Sequence, residues 1–291
     1  MSGCTIEGAP DDADRGVAGG VSVVRRPPGS QADPICATAH REGMPRRTDD
    51  LTTFLDTDAM RRFHRAVYAP HHWPDGAVVA VPTILKGTGV RTNRVPVADV
   101  EAFVELCTRG VERGADVYVN VAPQRPGLDI SARGGRKDAL GLPALFVDVD
   151  VADGVHKAAS GAAGGLSLPS RAEAVELVRS LPLPITALVS TGGGLHVWSC
   201  LAEPLDHESD TGVEVLRRWK MVVKRLFNDA GFRVDEGVLA DPARMLRAPG
   251  TTNHKAAPRP VRLLCDDQTS PDEWEAAVAG WVAESATAEA A

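Results

Sequence analysis

In the stretch "ALFVDVDVADG" an apolar run from Ala144 to Val147 meets two carboxylates, Asp148 and Asp150. Side chains of a strand alternate between its faces, so both acids share one face, with Val147 and Val149 on the other. Like charges at that spacing repel, and each resists leaving water. Two arrangements relieve the repulsion. Either the strand ends near Asp148 and both acids are solvated, or oxygen ligands hold a hard divalent cation there, Mg2+ or Mn2+.

Two further stretches carry complementary chemistry. In "STGGGLHVW" three successive glycines, Gly192, Gly193 and Gly194, let the backbone approach a ligand, and their N–H groups can line an anion site. His196 follows just inside a strand, as a phosphate donor or as a satisfied core histidine. No Gly-Lys-Ser/Thr follows, so this is not a Walker A loop, and the G-x-G-x-x-G dinucleotide fingerprint is absent. In "VDEGVLADPARMLRAPGTTNHK" Asp235 falls on an expected short strand, and Arg244, Arg247 and Lys255 follow at a spacing that can present cations together. Arginine suits bidentate phosphate contacts. The plainer alternative is a basic loop with Asp241 as a helix cap. Taken together the stretches supply three carboxylates, a glycine loop with a histidine, and two or three cations. That is the inventory of nucleotidyl transfer by a two-metal mechanism. Asp235 is preferred to Asp241 as the third acid, because "VDEGV" reads as a strand and Asp241 has the capping role open to it.

The elements that must position these groups read as follows. Apolar spacing predicts a helix from Leu51 to Tyr68, and "GAVVAVPTIL" reads as a strand. "PVADVEAFVELCTRGVERG" is a helix with Val100, Phe103, Val104 and Cys107 on one face and Gly114 as its stop. "ADVYVNVAP" alternates as a strand does. A loop rich in Gly and Arg, with Arg133, Arg136 and Lys137, precedes the acid-bearing strand; it either contacts a template backbone or is solvated. "GVHKAASGAAGGLSLP" reads as a flexible insertion. "SRAEAVELVRSL" opens on a capping box of Ser170 with Glu173. Strand, glycine turn and strand follow in "ITALVSTGGGLHVWSCL". A long amphipathic helix ends near Gly231, "FRVDEGV" is a short strand, "ADPARMLRAPGTTNHK" a tight helical turn and loop, and "RPVRLL" a strand. A last helix begins with a capping box of Ser270 and Glu273. Strict βαβ alternation is absent, so the fold class is α+β. Residues 1–50 are expected to be a disordered extension, 51–265 the catalytic domain and 266–291 an acidic helix and tail.

The chain has 291 residues and a net charge of −7, which speaks against nucleic acid until the distribution is considered. Arg217 to Arg262 holds eleven Lys and Arg against four acids, while Asp266 onward holds seven acids and no Lys or Arg. A basic segment inside an acidic protein suits local phosphate binding; two solvated faces would give the same counts. No apolar run approaches the length of a membrane span. Neither a secretory start nor a C-x-x-C pair is found among Cys4, Cys36, Cys107, Cys200 and Cys265, so a reducing cytoplasm is expected, without zinc and without a disulfide scaffold.

The ordered set of D-x-D, the small-x-His element Gly194-Leu195-His196 after glycines, and a Val-Asp segment leading into "RMLRAPGTTNHK" resembles the archaeo-eukaryotic primase superfamily, most of all the primase-polymerases of phages, plasmids and other mobile elements. The resemblance runs over residues 75 to 265. It implies a bilobal core, with an RNA-recognition-motif-like sheet carrying the acids and a smaller αβ lobe contributing to a template cleft. It implies that Asp148, Asp150 and Asp235 bind two Mg2+ or Mn2+ ions and that His196 contacts the nucleotide's phosphates. Arg247 and Lys255 would then neutralise triphosphate or template charge, and Ser190, Gly192, Gly193, Gly194, Arg244 and Asn253 would join in nucleotide or template binding. Many members carry Glu where this chain has Asp150. The implied partners are single-stranded DNA, ribo- or deoxyribonucleoside triphosphates and a replicative helicase. Two other readings fit parts of the sequence. One is a non-catalytic single-strand-binding or origin-recognition module. The other is a nicking initiator using Tyr68 or Tyr118, although His71 and His72 are adjacent where that site needs alternation.

Overall fold

A computed structural model describes residues 53–129, 132–154 and 165–288. The expected N-terminal extension, and residues 155–164 of the expected insertion, lie outside the described residues. The described residues fold as five α-helices, one short 3-10 helix and nine strands in two antiparallel sheets, an α+β arrangement.

Helix α1 (Thr57–Val67) starts where the Asp56 carboxylate accepts a hydrogen bond from the Ala59 N–H at 2.9 Å. Its buried residues Met60, Phe63, His64 and Val67 recur at helical spacing. The first sheet holds β1 (Val78–Leu85), β2 (Gly89–Pro96), β3 (Asp116–Asn120) and β7 (Met245–Arg247), in the order β2-β1-β3-β7. Helix α2 (Val100–Glu112) packs on it and ends before Gly114. Strand β2 was not expected from the sequence: "GVRTNRVP" carries too little apolar alternation, and it is paired because Leu85 and Gly89 close a tight hairpin with β1.

The second sheet runs β4-β6-β5-β9-β8, with β4 (Leu142–Asp150), β5 (Ala187–Ser190), β6 (Gly194–Leu205), β8 (Thr251–Asn253) and β9 (Arg259–Cys265). Helices α3 (Arg171–Arg179), α4 (Asp210–Asp229) and α5 (Pro271–Ala288) complete the chain. Both expected capping boxes form, Ser170 with Glu173 and Ser270 with Glu273. The Trp219 indole of α4 donates to the Phe146 carbonyl of the edge strand β4 at 3.1 Å. In α3 the buried Arg171 pairs with Asp153 and lies over the Trp281 ring of α5. Val278 and Trp281 of α5 belong to the same apolar core as the sheets. Among the described residues no helix is long and apolar enough to cross a membrane.

Two expectations are corrected. "VDEGV" is not a strand: Asp235 lies in a turn, where its carboxylate accepts from the Gly237 N–H and its carbonyl from the Val238 N–H. Among the described residues only an isolated bridge from Phe232 to Ser167 reaches a neighbour, so the segment has no ladder there to extend. The "RMLRAPGTTN" run is not a loop. It forms β7 in one sheet and β8 in the other. Ala248 N–H still donates to Val117 of the first sheet, and Gly250 N–H already donates to Val261 of the second.

His64 is fully buried among Tyr68 and Phe103, and neither ring nitrogen has a partner. Burial pushes its pKa down to about 4, and the neighbouring Arg65 charge adds to this. The unfolded chain therefore binds a proton between pH 6.5 and 4 that the folded chain refuses. Its contribution to stability is intact above the unfolded value and is lost as pH falls towards 4. His64→Leu should lose less stability between pH 7 and pH 4.5 than the wild type does, by about 2 to 3 kcal/mol. Urea midpoints at the two pH values check this, and equal losses would contradict it.

Candidate active site

Strand β4 carries Ala144, Phe146, Asp148 and Asp150 on one face. Across it in β6 stand Trp198 opposite Phe146, His196 opposite Asp148 and Gly194 opposite Asp150. This one face changes character along its length. Phe146 and Trp198 are packed into the core under Phe63 of α1. Beyond them the face opens into a hollow of about 610 Å3, lined by Asp148, Asp150, His196, the Thr191–Gly193 turn and residues of the other sheet. Asp150 is exposed, whereas Asp148 is partly buried.

The electrostatics centre on Asp148. Burial raises its pKa and the Asp235 charge raises it further, while Arg244 and Arg247 oppose both. Arg244 Nη2 lies 3.2 Å from one carboxylate oxygen and His196 Nε2 3.5 Å from the other. Burial pushes His196 down to about 3, helped by the Arg247 and Arg244 charges, so the ring is neutral at neutral pH. Its Nδ1 and Arg244 Nε are buried, and neither finds a partner within hydrogen-bond geometry.

The far wall comes from the chain that joins β7 to β8. Arg247 lies opposite Tyr118 in the β3–β7 pair, with its guanidinium 4.9 Å from the Tyr118 ring centre. It also donates to Asp116 at 2.7 Å. The same Asp116 oxygen accepts from the His254 N–H at 2.7 Å. Asn253 donates to the Thr191 carbonyl at 2.7 Å and Arg259 to the Gly192 carbonyl at 2.6 Å, so this wall holds the glycine turn in place. Gly192 has a left-handed φ of 76°, and a Cβ there would come within 2.6 Å of Arg259. A Cβ on Gly194 would come within 2.1 Å of the Val149 carbonyl, so this glycine serves the close approach of β4 to β6.

The residues singled out from the sequence divide accordingly. Asp148, Asp150, His196, Gly192, Gly193, Arg244, Arg247, Asn253 and Lys255 all line the hollow. Asp235 lines an adjoining recess that shares Asp150, Arg244 and Lys255 with it. Asp241 does not; its carboxylate accepts from the Ala243 N–H. Ser190 is a correction: it pairs with Leu195, on the sheet face away from His196 and the acids. Gly194 lies beneath the acids without lining the hollow. The ring of cations is also less free than expected, since Arg247 is held by Asp116. Lys255 is exposed and forms no ion pair among the described residues. Arg136 of the preceding loop donates to the His207 carbonyl, away from the hollow. The sequence reading missed Asp116 and Arg259. The alternation in "DVYVN" already placed Asp116 beside Tyr118 on one polar face. Nothing in "RPVRLL" marks Arg259.

The donors present suit a hard cation by type, since they are carboxylate oxygens. Among the described residues no three His, Cys, Asp or Glu stand close enough to hold a metal ion by themselves. The Asp148 and Asp150 pair therefore fits a cation that keeps further ligands from water or phosphate, as Mg2+ does.

No family model matches the chain, and no curated protein matches its sequence. Three solved structures resemble it. The AEP domain of the cyanophage S-2L primase-polymerase does so at 16% identity and a TM-score of 0.44, over 77% of this chain and 98% of that one. Primase RepB′ does so at 17% and 0.43, over 80% of this chain and 65% of that one. The catalytic domain of primase RepB′ in complex with initiator DNA does so at 18% and 0.44, over 79% and 96%. By their own descriptions the three are primase or primase-polymerase domains. At TM-scores below 0.5 the likeness assigns no activity, and the geometry of the hollow carries the reading that follows.

Asp116→Asn should remove the charge from the acceptor that holds Arg247 and leave a buried guanidinium poorly paired. An expected loss of about 2 kcal/mol would appear as a lower urea midpoint. An unchanged midpoint would show that Asp116 does not secure this wall.

Proposed function

We propose that the hollow is the active site of a template-directed nucleotidyltransferase, a DNA primase or primase-polymerase. One observation carries the reading. Asp148 and Asp150 face Arg247, Asn253 and Lys255 across a single hollow, so groups that hold cations and groups that hold phosphates share one space. That is the charge pattern a triphosphate with its counter-ions requires.

In this reading Asp148 and Asp150 hold two divalent ions, Mg2+ or Mn2+, with Asp235 as the third acid at the edge of the site. Bound there, the ions supply activation of a 3′-hydroxyl and neutralisation of the leaving pyrophosphate. The chain's own residues do the rest by placement. Lys255 and Arg259 offset phosphate charge. Arg247 adds less, because Asp116 already balances it. His196 is neutral, so it offers a hydrogen bond to a phosphate oxygen without adding charge. Gly192 and Gly193 let the phosphates approach the backbone, and Asn253 fixes the turn that carries them. Arg244, half-exposed and 3.2 Å from Asp148, would be available to the substrate's phosphates if cations took over the neutralisation of Asp148. The resemblance extends the proposal to a bilobal core with an RNA-recognition-motif-like sheet, single-stranded DNA as template and nucleoside triphosphates as substrates. Its setting would be a mobile element's replication, with a helicase as partner.

A second reading, a non-catalytic module that binds single-stranded DNA, is favoured by two features. Arg244 sits on Asp148, and no three-ligand cluster is formed among the described residues. The nicking-initiator reading loses Tyr68, whose hydroxyl is buried and donates to the Asn120 carbonyl.

A primer-free assay on single-stranded DNA with each nucleotide pool separates the first two readings. The wild type should incorporate labelled nucleotide only with Mg2+ or Mn2+, and Asp148→Asn should lower incorporation at least about 100-fold with little change in melting temperature. Binding of the strand without incorporation by the wild type would move the assignment to the binding module.

A further inference from the structure

The first sheet carries a second hollow on its other face. Pairing places Ile84 opposite Asp116 and Thr83 opposite Val117. Ile84 and Asp116 line the acid-bearing hollow; Thr83, Leu85 and Ala115 line the second, of about 500 Å3. The two therefore lie back to back across the ends of β1 and β3. Helix α2 forms the other wall, with Gly110 seated over Val117 and Thr83.

Three arginines, Arg91, Arg109 and Arg113, line this second hollow, and no acid does. In a chain of net charge −7 that is a local reversal of sign. Arg109 pairs with Glu105 at 3.3 Å on the exposed helix surface. No acid among the described residues pairs with Arg91 or Arg113. Both are exposed, as is Lys86 on the adjoining hairpin turn. Their charge is not answered within the described fold, and they stand at the C-terminal end of α2 and on the hairpin that faces it. No aromatic residue lines the hollow, so it has nothing on which to stack a base; its chemistry is that of phosphate recognition.

We propose that this arginine-lined hollow binds the backbone phosphates of single-stranded nucleic acid that continues past the acid-bearing hollow. The strand rounds the ends of β1 and β3 and meets Arg91 and Arg113 on the far face. This rests on the nucleotidyltransferase reading only for the identity of the polyanion. The lack of stacking partners favours a continuous backbone over a single nucleotide.

The test measures binding of a short oligonucleotide of about six nucleotides and a long one of about thirty, across a salt series. The double variant R91Q/R113Q should bind the long strand about tenfold more weakly, with a log–log salt slope smaller by about 1.4, and bind the short strand and a nucleoside triphosphate as the wild type does. R91K/R113K should restore most of the affinity. Unchanged long-strand affinity and slope in R91Q/R113Q would overturn the proposal while leaving the acid-bearing site standing. Equal weakening of triphosphate binding would also overturn it, since the arginines would then serve the nucleotide. A wild type that binds neither strand would remove both this proposal and the reading it rests on.

Discussion

Asp116 accepts hydrogen bonds from the Arg247 guanidinium and from the His254 N–H, and the two donors stand on either side of the crossing between sheets. Ala248 is bonded to the first sheet and Gly250 to the second, so the chain changes sheets in three residues. A crossing that short has no slack. Its register fixes Arg244 and Arg247 on one side and Asn253 and Lys255 on the other, and the carboxylate between them is the one ionic group that holds both. The wall facing Asp148 and Asp150 is therefore set by an interaction made within the protein, in place before any ligand arrives.

Charge balance follows from the same arrangement. Asp148 sits where burial and Asp235 both oppose its ionisation, and Arg244 supplies the nearest compensation. A surface acid would need no such partner. Compensation by one long, half-exposed side chain can be given up, because an arginine with one weak contact is easily redirected. The pair at Asp116 is shorter and more buried, and stacking on Tyr118 keeps Arg247 in place. Of the two arginines nearest the acids, Arg247 is thus held tightly and Arg244 loosely, and the two differ by burial and geometry.

Much of this was legible in the residues. Period-two alternation put Asp148 and Asp150 on one face, helical spacing found α1 and α2, and two capping boxes marked helix starts, because each of these rests on contacts close in sequence. What was not legible depends on partners far along the chain. "VDEGV" has strand-like composition, but no neighbour offers it a ladder. "RMLRAPGTTN" looks like a loop, yet strands of two different sheets, β3 and β9, pair with its two halves. Ser190 and Gly194 adjoin the turn in sequence, and the pairing of β5 with β6 turns Ser190 to the opposite face while Gly194 is consumed by strand approach. Asp116 was hidden for the same reason: its importance lies in two donors more than a hundred residues away.

The position of β4 at the edge of its sheet has one more consequence. Its run from Leu142 to Val147 is apolar, extended and free of charge, but it carries Pro143 and is buried although it forms an edge. The Trp219 indole occupies the Phe146 carbonyl on the open side, and the run ends in two carboxylates. Stacking copies of this edge in register would bring Asp148 onto Asp148 and Asp150 onto Asp150. The native fold covers this edge, so the repulsion between the acids of stacked copies bears only on a chain that has opened and uncovered β4.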